Sequence, residues 1–257
     1  KLLCRGNGTP LPILANAAAA LRGAPEMAGV LGFDEFDMRM WVRKAPPWAG
    51  NEFRPRRWCE MDGFQATEWL QHQGISVSVE VALEAEAAVS PERGLHPAGP
   101  PLNGLVWDGR SRLDRWVSTY LGAAEDPYTC SVGRRFLLSA VARIMRPGCK
   151  VDTMLILEGP QGAGKPQAAE ALASRPYYTD EIADFGSKDA GLQMQGVWLV
   201  EIAELQALSK AEATVVKAFL TRSEDRFRPP YGKDVVEFPR QCVFIGSTND
   251  ETYLKDE

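Results

Sequence analysis

Apolar residues in the first part of the chain repeat with the spacing of an α-helix. In segment 11–23 the apolar positions 13, 14, 17, 18 and 21 fall on one helical face, and Gly23 follows as a stop. Segments 64–74 and 76–90 also predict helices, whereas the stretch 38–58, rich in tryptophan and proline, has weak strand character. The pattern therefore predicts a mostly helical N-terminal region over residues 1–95.

A stretch dense in proline and glycine, residues 95–104, predicts a linker. Two strongly amphipathic helices are predicted after it, over 112–122 and 133–145, and they define a helical subdomain at residues 96–150. Their stripe contains Trp116, Tyr120 and Phe136. A base-stacking role is possible for such aromatics, but helical spacing favours packing against a core.

From residue 151 short apolar runs alternate with helices. The runs TMLILE, VWLVEI and QCVFIGS each predict a strand that is buried on both faces. Between the last two, segment 209–222 predicts a helix that begins with a Ser209–Glu212 capping box. Apolar strands alternating with helices predict an α/β fold with a parallel sheet over residues 151–257.

Composition narrows the classes of partner. The chain has 257 residues, 45% of them hydrophobic, and a net charge of −5, so any contact with nucleic acid needs a local basic patch. No apolar run approaches the ~20 residues of a membrane span, and we expect a cytoplasmic protein without a membrane partner. Five scattered cysteines and two histidines disfavour a zinc site or a disulfide framework. Because the chain starts at Lys1 and stops at Glu257, we expect a C-terminally truncated fragment.

Segment 159–166 reads GPQGAGKP, close to the phosphate-binding pattern G-x-x-x-x-G-K-[ST]. A strand is predicted before it and a helix after it. Its glycines let backbone N–H groups turn toward a phosphate, and the helix N-terminus adds positive charge. The alternative is a glycine-rich turn without a ligand. We expect a nucleotide to contact Gly159, Gln161, Gly162, Ala163, Gly164, Lys165, Pro166 and Gln167, with Lys165 along its outer phosphates.

Pro166 departs from that pattern. A serine or threonine at this position supplies a hydroxyl to Mg²⁺ and an N–H to the phosphate, and proline supplies neither. Proline also disfavours the helical conformation of Lys165 before it, although the first turn of a helix tolerates it well. We therefore expect an intact loop with weakened Mg²⁺ coordination and slower turnover.

Acidic and amide side chains follow the later strands. Glu201 comes directly after four apolar residues, and Glu204 follows three positions later. Nucleoside triphosphatases hold Mg²⁺ and polarise water with acids beside the phosphate-loop strand, so we expect Glu201 as the metal ligand and both glutamates as catalytic. The alternative for Glu204 is an acid at a helix start. Asn249 ends the next strand, where it can reach the γ-phosphate, although asparagine alone is also typical of turns.

Segment 226–240 predicts a hairpin with short arms around Gly232, Lys233 and Asp234. A lysine at the tip beside a tyrosine can contact a phosphate and stack on a base. Arg228, Tyr231 and Lys233 are therefore candidate DNA contacts. Residues 222–240 contain five basic and four acidic side chains, so composition alone slightly favours a solvated hairpin.

Together these motifs resemble the virulence-associated E family, which comprises phage- and island-encoded P-loop ATPases related to superfamily-three helicases of the AAA+ class. The resemblance lies in GLVWDGRSRLDRWVSTYLGA, VARIMRPGCKVDTMLILEGPQGAGK, GVWLVEIAEL and RFRPPYGKDVVEFPRQCVFIGSTN, and it extends from about residue 96 to the end. It implies a P-loop NTPase core that binds ATP and Mg²⁺ and acts on single-stranded or forked DNA as a homo-oligomeric ring. It also implies that Lys165 is the phosphate lysine, Glu201 and Glu204 the acidic pair, Asn249 the γ-phosphate sensor, and 226–240 a DNA-contacting hairpin.

Three functions are compatible with these residues. The first is a DNA-dependent ATPase, helicase-like, in the replication of a phage or mobile element. The second is a relative that binds nucleotide or DNA without hydrolysis, because of Pro166. The third, a small-molecule kinase, is disfavoured because the sequence shows no second lid or basic acceptor pocket.

Overall fold

The computed structural model describes residues 2–50, 52–95, 102, 105–182, 184–187, 189–228 and 235–249. The chain divides into two compact units, Lys1–Ala98 and Gly99–Glu257. Within the described ranges, no helix combines the length and the apolar character needed to cross a bilayer.

In its described residues the first unit combines three α-helices with a small mixed sheet. The elements are α1 (Leu14–Gly23), β1 (Leu31–Asp34), β2 (Arg39–Val42), β3 (Arg56–Arg57), α2 (Glu60–His72), α3 (Val79–Val89) and β4 (Gly94–Leu95). Strand β1 pairs antiparallel with β2 and parallel with β4, and β3 extends the sheet on the far side of β2. The helices pack around a core that includes Leu21, Leu70 and Val89. The three predicted helices are confirmed, whereas strands of two to four residues are too short to carry a readable periodicity.

Glu86 on α3 is a buried acid in this unit. It is 0% exposed, and no hydrogen bond of normal geometry reaches either carboxylate oxygen within the described ranges. Burial raises the pKa of Glu86 from 4.5 to about 7; the nearby Trp58 indole lowers it in part, and the charge of Asp62 raises it. Folding of the unit therefore shifts Glu86 toward the protonated form.

The second unit contains the predicted parallel sheet. The elements are α4 (Trp116–Leu121), α5 (Pro127–Met145), β5 (Leu155–Glu158), α6 (Lys165–Ala173), β6 (Tyr178–Thr179), α7 (Ala190–Gln193), β7 (Leu199–Ile202), α8 (Lys210–Leu220), β8 (Glu224–Phe227), β9 (Val236–Pro239) and β10 (Val243–Thr248). Strand β10 lies between β5 and β7, and β6 extends the sheet beyond β7, so that the order is β5-β10-β7-β6 with parallel pairing throughout. The three predicted strands and the Ser209–Glu212 capping box are confirmed.

Strict alternation along the strands divides this sheet into two faces. On one face, residues such as Leu199 and Ile245 share a core with Phe136 of α5 and Ala169 of α6. On the other, Val200 and its neighbours share a core with side chains of α8. Because both faces are covered, the strands read as continuous apolar runs in the sequence.

The two helices before this sheet differ in extent from their prediction. α5 begins at Pro127, six residues before its predicted start at residue 133. α4 spans only Trp116–Leu121 and ends, as predicted, at Gly122 with φ 73°. Trp116 is buried, but Tyr120 is 65% exposed, so the prediction that Tyr120 packs in the core is wrong. Its position in the last turn of a six-residue helix leaves it beside a cavity rather than under a neighbouring element.

The predicted hairpin arms are present as β8 and β9, which pair antiparallel from Glu224–Pro239 to Phe227–Val236. Its base is anchored by Arg240, whose guanidinium binds both carboxylate oxygens of Asp225, and both residues are almost fully buried. The same guanidinium lies 4.5 Å from the ring centroid of Phe219 on α8. The base of the hairpin is therefore held by a buried ion pair, whereas its tip lies outside the described residues.

Candidate functional site

The glycine-rich loop lies between the end of β5 and the first turn of α6. Gly162 and Gly164 have φ values of 81° and 80°, a left-handed conformation that favours glycine. Lys165 is the first residue of α6 and Pro166 the second, where a missing N–H leaves no intrahelical bond unmade. A Cβ atom at Gly162 would have no atom within 4 Å among the described residues, so the loop is open on that side.

Lys165 and Asn249 are brought together although 84 positions separate them. The Lys165 ammonium donates to Asn249 Oδ1 at 2.9 Å and to the carbonyl oxygens of Gly159 at 2.7 Å and Pro160 at 3.1 Å. Its three protons are therefore all engaged. To bind a phosphate, this ammonium has to exchange at least one of these acceptors.

Glu201 is 3% exposed in the middle of β7, and two hydroxyl groups hold it. Tyr178 OH donates to Oε2 at 2.5 Å, and Ser247 Oγ donates to Oε1 at 2.8 Å. Burial raises the pKa of Tyr178, and its hydrogen bond to the Glu201 carboxylate raises it further. Each carboxylate oxygen retains a second lone pair, so a cation at Glu201 has to share oxygens with these hydroxyls.

These side chains lie on one face of the sheet. Ile245 pairs with Glu201, and Ser247 and Asn249 follow at intervals of two, so all of them point to the face that α6 covers. Glu158 ends β5 level with Thr248, which places the start of the loop beside Asn249. The carboxyl ends of three neighbouring parallel strands therefore bring an ammonium, an amide and a buried carboxylate to one edge.

The remaining predicted site residues are less closely connected. Glu204 is exposed, has φ 53°, and precedes the 3₁₀ turn Leu205–Ala207. Within the described residues, its carboxylate forms no hydrogen bond or ion pair with Lys165 or Glu201. Arg228 is exposed after β8. Tyr231 and Lys233 lie outside the described residues. Gln161, Pro166 and Gln167 are exposed around the loop, as the loop geometry requires. Across the described ranges, no group of three or more His, Cys, Asp or Glu side chains has the arrangement of a metal centre.

Sequence reasoning missed Tyr178 and Ser247. Ser247 has a signal, because it lies two positions before Asn249 on a strand and so shares its face. Tyr178 belongs to a two-residue strand that no periodicity indicates, and only the pairing of β6 with β7 places it beside Glu201.

A cavity of about 780 Å³ opens beside this edge, between α4, α5, β5 and the start of α6. Ala163, Gly164 and Lys165 line one end of it. Its volume is within the range of about 300–1,000 Å³ that is typical of small-molecule pockets. The loop is therefore continuous with a space large enough for a ligand.

Residues 102–257, more than half of the chain, match the family model of the virulence-associated protein E-like domain. No curated protein matches the chain.

Solved structures that resemble the chain include three apo structures of the NrS-1 C terminal region. The A form apo structure of residues 305–718 has a TM-score of 0.44 and 13% identity, covering 88% of this chain and 55% of that one. A second A form structure has a TM-score of 0.46 and 14% identity, covering 86% of this chain and 53% of that one. A further apo structure has a TM-score of 0.46 and 15% identity, covering 88% of this chain and 56% of that one. The chain spans just over half of their length, and these TM-scores are too low to define a shared fold.

Proposed function

The chain belongs to the virulence-associated protein E-like domain family, and from this premise we propose that it is an ATP-binding, DNA-dependent ATPase of phage or mobile-element replication. The observation that carries the proposal is the hydrogen bond between Lys165 and Asn249, above a loop with two left-handed glycines. A phosphate held by the loop meets an ammonium and an amide at that point. This is the pairing that the family resemblance implies for a phosphate lysine at the start of α6 and a γ-phosphate sensor after β10, the strand next to β5.

The parallel order β5-β10-β7 supports a P-loop NTPase fold of the AAA+ class, because it sets the phosphate loop, Asn249 and Glu201 on adjacent strands. Backbone N–H groups of the loop and the N-terminus of α6 bind the phosphates. Lys165 exchanges its loop carbonyls for phosphate oxygens as the nucleotide enters.

Mg²⁺ would be held by Glu201, through the lone pairs that Tyr178 and Ser247 leave unused, and would neutralise charge that develops on the phosphates. Glu204 is proposed as the acid that orients water. Its left-handed backbone costs about 1–2 kcal/mol, and strain of this kind tends to collect at functional sites.

A second candidate is a protein that binds nucleotide without hydrolysis. The observation that favours it is Pro166 in the first turn of α6, which offers neither a hydroxyl to a metal nor an N–H to a phosphate. With Glu201 already bound by two hydroxyls, the metal site has few ligands of its own. Loss of such electrostatic stabilisation lowers turnover about 100-fold or more.

The β8–β9 hairpin is proposed to contact single-stranded or forked DNA in a homo-oligomeric ring. Its buried Arg240–Asp225 base supports this role, because the ion pair fixes the arms of the hairpin next to β10, which begins three residues after Arg240. Arg228, exposed where β8 ends, and the tip residues Tyr231 and Lys233 are the proposed contacts.

The experiment compares the parent chain with Lys165→Ala, Pro166→Ser and the control Lys150→Ala. Lys150 is an exposed lysine that pairs with Asp152 away from the loop. Binding of a fluorescent ATP analogue and ATP hydrolysis are measured with Mg²⁺, with and without single-stranded DNA. Lys165→Ala is expected to weaken binding about 10-fold or more, because hydrogen bonds to charged groups contribute about 1.5–3 kcal/mol.

The results distinguish the ATPase from the protein that binds nucleotide without hydrolysis. Hydrolysis by the parent that DNA stimulates supports the ATPase, and hydrolysis only after Pro166→Ser supports the non-hydrolysing relative. Equal nucleotide binding by Lys165→Ala and Lys150→Ala would remove the proposed site.

A further inference from the structure

One face of α5 lines the cavity that the phosphate loop also lines. Residues 128, 129, 132, 135 and 136 line the cavity at helical spacing, and Ala163, Gly164 and Lys165 line it from the loop. Among them, Arg135 places a guanidinium-bearing side chain in the same cavity as the Lys165 ammonium. The two residues come from different elements, 30 positions apart in sequence, and no motif connects them.

Arg135 is exposed, and no ion pair or hydrogen bond engages its side chain within the part of the chain that the structure describes. The preceding residue contrasts with it, because Arg134 forms a salt bridge to Asp114 and does not line the cavity. Among the described residues that line the cavity, the charged ones are Arg135, Lys165 and one acid, Glu158, so two cations accompany one anion there. This balance favours an anionic ligand.

We propose that Arg135 is a second phosphate-binding cation, which contacts the polyphosphate of the nucleotide from α5 while Lys165 contacts it from the loop. This assignment rests on the proposed nucleotide site. A guanidinium presents paired donors that match phosphate oxygens, and apolar cavity walls such as Val132 and Phe136 reduce the screening of that attraction. Arg135 thereby offsets part of what the loop loses at Pro166.

The test measures binding of ATP and of inorganic tripolyphosphate to the full chain by calorimetry, with Arg135→Ala, Arg135→Lys and the adjacent control Arg134→Ala. Thermal melting verifies that each variant is folded. Arg135→Ala is expected to weaken both ligands about 10-fold or more, and Arg134→Ala less than 3-fold, since a charge-assisted hydrogen bond is lost only in the first. Arg135→Lys is expected to lie between them, because it keeps the charge but loses the paired donors.

The ligands separate the phosphate contact from other roles. If Arg135→Ala weakens ATP but not tripolyphosphate, the side chain contacts the nucleoside and the phosphate assignment is overturned. A second outcome is that the parent binds both ligands, that Lys165→Ala abolishes this binding, and that Arg135→Ala binds as tightly as Arg134→Ala. In that case the nucleotide site is supported and the proposed role of Arg135 is overturned. If the parent binds neither ligand, the proposed function fails, and the inference fails with it.

Discussion

Replacing Glu86 by glutamine is expected to stabilise the first unit above neutral pH. The carboxylate is 0% exposed and has no normal hydrogen bond within the described ranges, and burial raises its pKa from 4.5 to about 7. Well below pH 4.5 the carboxyl is protonated in both the folded and the unfolded state, so its ionisation does not change the free energy of unfolding. As the pH rises from 4.5 to 7, the unfolded state loses the proton first, so the free energy of unfolding falls.

The size of the effect follows from the two pKa values. A rise from 4.5 to about 7 corresponds to about 3 kcal/mol, because one pKa unit is about 1.4 kcal/mol. Glu86→Gln removes this ionisation and keeps the shape of the side chain. The variant should therefore match the parent near pH 4.5 and exceed its free energy of unfolding by up to about 3 kcal/mol at pH 8.

Urea denaturation at both pH values measures this difference, and hydrogen exchange of peptides covering α3 assigns it to the first unit. With a typical urea dependence of about 1–3 kcal/mol per molar, the midpoint at pH 8 should rise by about 1–3 M. Glu84→Gln is the matched control, an exposed glutamate on the same helix. A gain that is absent at pH 8, or equal at both pH values, would refute the reasoning from burial.

Two further predictions, each with a control substitution, test packing at the base of the hairpin and in strand β10. Asp225→Ala leaves the Arg240 guanidinium buried without its carboxylate and should lower the free energy of unfolding by about 3–5 kcal/mol. Glu237→Ala breaks an exposed pair with Arg226 and should lower it by at most about 1 kcal/mol; equal losses in urea denaturation would contradict this account. Gly246→Ala places a Cβ 2.5 Å from Leu205 Cδ1 and should lower the free energy of unfolding by about 1–3 kcal/mol, measured by thermal melting. The control is Gly6→Ala, whose Cβ would have no atom within 4 Å and which should leave the free energy of unfolding nearly unchanged.

Local chemistry made parts of this protein readable in advance. The helix Lys210–Leu220 begins at its Ser209–Glu212 capping box because that signal lies within four residues. The three central strands could be predicted from their apolar runs, because strands of a parallel sheet that is buried on both faces are apolar at successive positions. The six-residue helix α4 was predicted too long, because an amphipathic stripe does not reveal where tertiary contacts end.

The contacts of the candidate site depend on the fold instead. The chain order alone suggested that Lys165, Glu201 and Asn249 belong together, but not which atoms meet. Sheet pairing brings Asn249 into contact with Lys165, 84 residues away in sequence. It also brings Tyr178 and Ser247 into contact with Glu201, over separations of 23 and 46 residues.

Sequence by itself therefore determined the longer helices, the three central strands and the position of the loop, whose glycines and proline act through their own backbone dihedrals. Only the tertiary structure decided that Glu201 is already held by two hydroxyls and that Arg135 faces the cavity of the loop. The physical reason is that dihedral preferences and capping are properties of neighbouring residues, whereas the partner of a side chain depends on strand order and on which face the side chain occupies.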